Sequence, residues 1–228
     1  MNYKNFCEND WVNLEKNLPK YLFWRQFKFI SREKIALKIK ARNFLDLKKK
    51  LLQYEPYSAY LSVFYALNPV RVKAKIKNFR GPGYKLAQNI FIGADLVVEI
   101  DSNNENNFKK VLSILGRFFK KIKIYKTGRG FHIWIMDFNK WVTDTGSKTR
   151  KPCDREEYNA LWRKSFSKMI IDAGCDIDEA TTIDTRRVVR IPYSIYKNEK
   201  IIFEIKKEQS EEFLNLNNKK INKGAVKK

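Results

Sequence analysis

The sequence is poor in cysteine and histidine, the residues that build disulfide frameworks and zinc sites. Its three cysteines, Cys7, Cys153 and Cys175, lie far apart, and His132 is the only histidine. An odd number of cysteines without a close pair argues against a disulfide framework and fits a reducing, cytoplasmic location. No Cys-x-x-Cys pair is present for a structural zinc ion, and no ligand set for an iron–sulfur cluster is present. We therefore expect neither cofactor in this chain.

Long apolar runs are also missing. No stretch of about 18 apolar residues occurs, which argues against a membrane span and against a membrane as partner. The first six residues, MNYKNF, contain no apolar segment of the kind found in a signal peptide.

Acidic residues are scarce relative to basic ones. The chain has 47 Lys+Arg against 25 Asp+Glu, and its formal net charge is +22. Such an excess of positive charge favours a polyanionic partner, and nucleic acid is the foremost candidate because each neutralised phosphate releases counterions. The alternative is a protein from a proteome that is generally rich in lysine.

The chain is long enough, at 228 residues, for one sizeable domain or two small ones. Hydrophobic residues make up 43% of it, which is enough for a packed core. No clear linker divides it, so we predict one α+β unit over residues 1–214. Within it we expect an N-terminal α/β subdomain at about 1–90 and a core at about 91–214, followed by a basic, flexible tail at 215–228.

Hydrophobic periodicity predicts the individual elements. The predicted strands are 27–29, 57–65, 96–101, 121–125, 131–136, 188–191 and 201–205. Helices are predicted at 43–53, at 105–119 and from 154 to 170, the last with Leu161, Trp162 and Phe166 on its buried face. The segment 81–83 is predicted to be a loop and 140–151 a polar connection.

Two acidic residues stand on one apolar strand, LVVEID at 96–101. Side chains alternate along a strand, so Glu99 and Asp101 are expected on one face and the apolar residues on the other. Two neighbouring carboxylates repel each other unless cations are present, and hard ions such as Mg²⁺ prefer oxygen ligands. The pair therefore indicates a metal site, whereas the alternative is a solvated edge strand.

The segment 126–132, KTGRGFH, predicts a turn suited to phosphate. Gly128 and Gly130 allow the backbone to come close to a ligand. Thr127 adds a hydroxyl group, and Arg129 offers a planar guanidinium that matches phosphate oxygens. His132 follows on the next strand as a group for phosphate binding or proton transfer. The alternative is that this lone histidine is structural.

A third segment, 176–194, joins acids to arginines. Asp178 or Asp176 is a candidate third metal ligand, and Arg187 and Arg190 are candidate phosphate ligands. Loop salt bridges are the alternative interpretation. Acids, a glycine turn and arginines together are the groups that phosphoryl-transfer chemistry needs, because it depends on positioning and charge neutralisation.

These segments resemble the catalytic (small) subunit of archaeal and eukaryotic replicative primases. The segment 94–101 is similar to that family's first motif, apolar residues that lead into Asp-x-Asp. The turn that ends at His132 resembles its second motif, and 178–194 resembles its third. RQFKF at 25–29 and the segment 60–69 are similar to two further family segments. The chain departs from the family in having Glu99 in place of the first Asp and in lacking a zinc knuckle.

The resemblance implies a fold, a chemistry and partners. It implies a core with an antiparallel sheet like that of an RNA-recognition motif, joined to the N-terminal subdomain. It implies that Glu99, Asp101 and Asp178 bind two Mg²⁺ or Mn²⁺ ions and form the catalytic site. The nucleotide-binding set that follows from the three motifs comprises Thr127, Gly128, Arg129, His132, Arg187 and Arg190.

The expected activity is DNA primase activity, the synthesis of short RNA or DNA primers by nucleotidyl transfer from NTPs or dNTPs. The expected partners are a single-stranded DNA template and the RNA or DNA primer, and a large primase subunit stays open as a further partner. Two alternatives also stay open. One is a primase-polymerase or end-joining polymerase of the same superfamily that mainly extends; the other is a non-catalytic nucleic-acid-binding module with the same fold.

Overall fold

The structure is a computed structural model that describes residues 2–19, 22–66, 91–127, 129–145, 155–196, 199–200 and 203–204. The predicted loop at 81–83, the tail at 215–228 and Gly128 lie outside the described residues. Within them the chain is a mixed α+β protein whose strand pairs are all antiparallel, as the sequence predicts for the fold class.

Six α-helices are described: α1 Glu8–Asn17, α2 Phe44–Tyr54, α3 Glu105–Leu115, α4 Phe138–Thr145, α5 Arg155–Asp172 and α6 Glu179–Ile183. The strands are β1 Phe27–Ile30, β2 Ala36–Ile39, β3 Ser58–Ser62, β4 Phe64–Ala66, β5 Phe91–Ala94, β6 Leu96–Ile100, β7 Ile122–Lys126, β8 Phe131–Ile135, β9 Val188–Arg190, β10 Ile195–Tyr196, β11 Glu199–Lys200 and β12 Phe203–Glu204. Two short 3₁₀ helices, Tyr3–Asn5 and Leu22–Trp24, lie in the N-terminal segment. No described helix is both long and apolar enough to cross a membrane.

Two main sheets carry the fold. The larger runs in the order β11-β10-β3-β1-β2, with β9 also paired to β3. The smaller runs in the order β12-β7-β8-β6. Strands β9 and β10 follow residue 187 in the chain, yet both pair with β3 of the N-terminal half, and β11 pairs with β10. Segments from both halves of the chain therefore build the larger sheet.

The smaller sheet is covered on both faces. Leu96, Val98 and Ile100 of β6 pack into one hydrophobic cluster with the apolar sides of α3, α4 and α5. On the other face, Val97 and Trp134 belong to a second cluster with α1, α2 and the inner side of the larger sheet. The alternation predicted for 96–101 is therefore observed over 96–100, with Glu99 on the second face, whereas Asp101 follows the end of the strand.

Three local predictions are corrected. The helix predicted at 105–119 ends at Leu115, although Phe119 is buried because it packs against α4 and α5. The polar connection predicted at 140–151 begins with α4, whose Phe138 and Val142, four residues apart, are both buried. Leu161, predicted to be buried on α5, is 59% exposed, whereas Arg163 is buried in the same helix.

Candidate active site

The candidate site lies at the end of β6, where Glu99 meets residues from two distant segments. Strand pairing places Glu99 directly opposite His132, and the His132 Nε2 lies 3.2 Å from a Glu99 carboxylate oxygen. The other Glu99 oxygen lies 3.8 Å from the Arg187 guanidinium. His132 is buried, Glu99 is largely buried, and the Arg187 side chain is 41% exposed, so the arginine forms the side of the site that is open to solvent.

Asp178 reaches the same place through the backbone. Its N–H donates to the Glu99 carbonyl oxygen at 2.8 Å, which attaches the start of α6 to the edge of β6. Its side chain caps α6 by accepting a hydrogen bond from the Thr181 N–H at 2.8 Å. Asp176, the other candidate acid in this segment, is exposed, and its backbone is held by Asn107 in the first turn of α3.

Both carboxylates favour the ionised form. The hydrogen bond from His132 lowers the pKa of Glu99, and Arg187 lowers it further against the opposing effects of burial and of Asp178. Burial raises the pKa of Asp178, but the hydrogen bonds from Thr181 and the charge of Arg187 outweigh it, so the net shift is downward. Arg187 therefore acts on both acids, and the two acids are close enough to repel each other.

Asp101 stands apart from this cluster. It follows the last residue of β6, and its side chain is exposed. Among the described residues, no group of three or more acidic, histidine or cysteine side chains is gathered closely enough to hold a metal ion. The structure therefore brings together two of the three predicted metal ligands, Glu99 and Asp178, and leaves Asp101 on the adjoining loop.

The turn between β7 and β8 packs against that loop. Gly130 lies so close to the end of β6 that a Cβ atom there would be 1.8 Å from the Ile100 carbonyl oxygen. Thr127 closes the turn, because its Oγ1 accepts hydrogen bonds from the N–H groups of Arg129 and Gly130. These two N–H groups are directed at Thr127, and the exposed Arg129 side chain is the group that faces solvent.

Arg190 lies on another surface of the same segment. It is a residue of β9 and pairs with Tyr60 of β3, while its neighbour Val189 points into the core. Of the predicted nucleotide-binding set, His132 and Arg187 are thus the residues whose side chains contact Glu99.

A buried ionic cluster beneath the site was not predicted from the sequence. Asp95, at the start of β6, forms a 2.6 Å ion pair with Arg25 and accepts a hydrogen bond from the Trp134 indole. Arg163 of α5 donates to the Asp95 carbonyl oxygen and, at 3.0 Å, to the Thr182 carbonyl oxygen of α6. Burial lowers the pKa of Arg163 to about 10. This cluster connects the N-terminal segment, β6 and α6. The signal for it in the sequence was Arg163, an arginine on the apolar side of the helix α5.

No protein-family model matches this chain, and no curated protein matches it.

Proposed function

We propose that this chain is a divalent-metal-dependent nucleotidyltransferase of the primase type, which makes short primers on single-stranded DNA from NTPs or dNTPs. The observation that carries the proposal is the meeting of Glu99 and Asp178, from segments almost 80 residues apart, beside Arg187 at the end of an apolar strand. Two ionised carboxylates beside an arginine suit a site that takes a metal–triphosphate complex.

The fold supports the same proposal. From β6 onward the chain runs strand, helix, strand, strand, helix; β6, β7 and β8 pair in one antiparallel sheet, and α3, α4 and α5 pack on one of its faces. The split βαβ class, to which the proposed RNA-recognition type of sheet belongs, begins with the same order, whereas strands β9 to β11 that follow here pair in the larger sheet. The net charge of +22 suits a protein that holds a nucleic-acid strand.

The donor set fits one Mg²⁺ or Mn²⁺ ion. Mg²⁺ is commonly bound by one or two carboxylates together with substrate phosphates, and Glu99 and Asp178 supply two carboxylates. Asp101, on the loop beside them, is the residue that would complete the set for a second ion. A bound divalent ion would supply charge neutralisation for the triphosphate and would lower the pKa of an attacking hydroxyl group.

The protein's own residues orient the carboxylate and bind the triphosphate. His132 holds the Glu99 carboxylate in one orientation, since its ring nitrogen hydrogen-bonds that group. Arg187 lies between the acids and solvent, where its guanidinium can turn to the triphosphate oxygens. Thr127 and Arg129 present a hydroxyl and a cation at the neighbouring turn. Arg190, which the resemblance assigns to the triphosphate, lies on another surface.

A second candidate has an observation in its favour. Glu99 already has two cationic or hydrogen-bonding partners from the protein itself, His132 and Arg187. Such a pairing can stabilise a fold without any metal ion. The second candidate is therefore a non-catalytic nucleic-acid-binding module in which these residues form a structural ion cluster.

The test is nucleotide incorporation on an unprimed single-stranded DNA template and on a primed one, with Mg²⁺ or Mn²⁺. Asp178→Asn keeps an oxygen for the helix cap but removes the charge, so we expect activity to fall by a factor of about 100 or more. Asp176→Asn, two residues away, is the matched control and should retain activity. Asp101→Ala tests the second ion in the same assay.

The outcomes separate the candidates. Activity on both templates that depends on Asp178 supports a primase. Activity on the primed template alone supports a polymerase of the same superfamily that extends. No incorporation by the wild type, or equal activity of wild type and Asp178→Asn, refutes the catalytic proposal.

A further inference from the structure

A row of side chains crosses the outer face of the larger sheet. In the strand register, Lys38 of β2 pairs with Lys28 of β1, Lys28 pairs with Tyr60 of β3, and Tyr60 pairs with Arg190 of β9. Directly paired residues of antiparallel strands project from the same face of a sheet. The four side chains therefore form one continuous row, defined here as the cross-strand row.

The cross-strand row faces away from the hydrophobic core. Residues adjacent to its members in sequence, Phe27, Leu61 and Val189, belong to the core cluster on the inner face. Because side chains alternate along a strand, the row itself lies on the outer face. Lys38 is exposed, and the other three members are partly exposed.

The composition of the row is unfavourable for the isolated sheet. Lys28 and Lys38 are directly opposed, and like charges at such a position destabilise a strand pair. A polyanion laid across the sheet would relieve this repulsion. An aromatic ring, Tyr60, stands between Lys28 and Arg190, and proteins that bind single strands combine cations for the backbone with aromatic rings for the bases.

The row ends near the candidate active site along the chain, on the face of the larger sheet opposite to Val189, which packs in the core between the two sheets. Neighbouring strands are about 4.8 Å apart, so the row spans about 14 Å from Lys38 to Arg190. Arg190 lies three residues after Arg187, which contacts Glu99. At about 3.3 Å per residue, the end of the row is about 10 Å from Arg187 along the backbone.

We propose that the cross-strand row binds a single-stranded nucleic acid, with Lys38 and Lys28 on its phosphates and Tyr60 against a base. This proposal does not rest on the proposed function, because binding of the strand is measured without nucleotides or metal ions.

The experiment measures the affinity of the full chain for a fluorescently labelled oligothymidylate of about 20 nucleotides by anisotropy, at several salt concentrations. Each phosphate contact on a single strand contributes about 0.7 to the slope of log affinity against log salt. Lys28→Ala/Lys38→Ala should therefore lower the slope by about 1.4 and the affinity by about 25-fold at 0.1 M salt. Lys164→Ala/Lys168→Ala, on the exposed side of α5, is the control with the same change in charge.

The two double variants decide between a site and a general charge effect. A large loss of affinity in Lys28→Ala/Lys38→Ala, with less than about a twofold change in the affinity of the control, supports binding at the cross-strand row. Equal losses in both variants overturn it, since binding would then follow net charge alone. If the cross-strand variant lost affinity only for a duplex of the same length, the proposal that the row binds a single strand would also be overturned.

Lys38→Glu separates binding from folding. It places opposite charges at the Lys28 pair, so we expect the melting temperature to rise by about 1–2 °C while affinity for the oligonucleotide falls. Unchanged affinity in this variant refutes the row. Asp178→Asn should bind the oligonucleotide as the wild type does. Row-dependent binding by a wild-type protein that incorporates no nucleotide would refute the proposed function and leave the row standing.

Discussion

Replacement of Gly130 by alanine tests the packing of the β7–β8 turn against the end of β6. A Cβ at this position would lie 1.8 Å from the Ile100 carbonyl oxygen and 2.9 Å from the Ser102 nitrogen. Both atoms belong to the backbone, so no side chain can rotate away to make room. The turn must instead move away from the strand end that carries Glu99 and leads to Asp101.

The expected magnitude has two parts. Overpacking of this kind costs about 1–3 kcal/mol. Movement of the turn also weakens the hydrogen bonds between Thr127 and Gly130, which are 2.8 and 2.9 Å long, by about 1 kcal/mol. We expect Gly130→Ala to lower the free energy of unfolding by about 2–4 kcal/mol, which for a chain of this size lowers the melting temperature by roughly 4–16 °C.

The assay is urea denaturation, with Gly116→Ala as the matched control. Gly116 ends α3 with helical backbone angles, φ −64° and ψ −15°, which alanine adopts readily. The control should be neutral or stabilising by up to about 1 kcal/mol. If Gly130→Ala destabilises by less than about 0.5 kcal/mol, the close approach of the turn to Ile100 is refuted.

Three further predictions concern the charges around the site. Glu99 and Asp178 have lowered pKa values in the folded protein, so their stabilising effect is present above their ordinary values of 4.5 and 3.8 and is lost as pH falls through the lowered values. Melting temperatures measured from neutral pH down to about pH 3 should fall more steeply below pH 4.5 for the wild type than for Glu99→Gln. Arg25→Met leaves the buried Asp95 without its ion pair and should destabilise by about 3–5 kcal/mol in urea denaturation, whereas Arg25→Met with Asp95→Leu should recover part of the loss. Asp178→Ala removes the cap of α6 and should lower stability by about 1 kcal/mol, while Asp178→Asn should stay within a few tenths of the wild type; equal losses would contradict the capping role.

The elements that the sequence predicted well are those with a local cause. Strand β6 follows from alternation in a short apolar run, and α2 begins where Asn43 can cap it, since its side chain accepts the Asp46 N–H. Helix α4 was missed because its polar residues conceal Phe138 and Val142, and their burial depends on contacts with α5 that no local pattern reveals.

The candidate site was predictable in composition but not in its contacts. That Glu99 and His132 would lie opposite each other depends on the pairing of β6 with β8, and a shift of one residue would have separated them. The docking of Asp178 on β6 is a long-range backbone contact. The exposure of Asp101 follows from the end of β6 at Ile100, and strand ends are poorly determined by sequence.

The buried charges explain how the site can be held in place between two separate hydrophobic clusters. The clusters lie on opposite faces of the smaller sheet, and apolar packing alone tolerates sliding of one layer over another. Asp95 prevents such sliding, because Arg25 reaches its side chain from the N-terminal segment and Arg163 reaches its carbonyl oxygen from α5. Arg163 also holds α6, which Asp178 caps, so displacement of either layer would leave a buried charge without its partner. Apolar replacements at these positions could match the stability of the ion pairs, but they would not specify where Asp178 stands relative to Glu99.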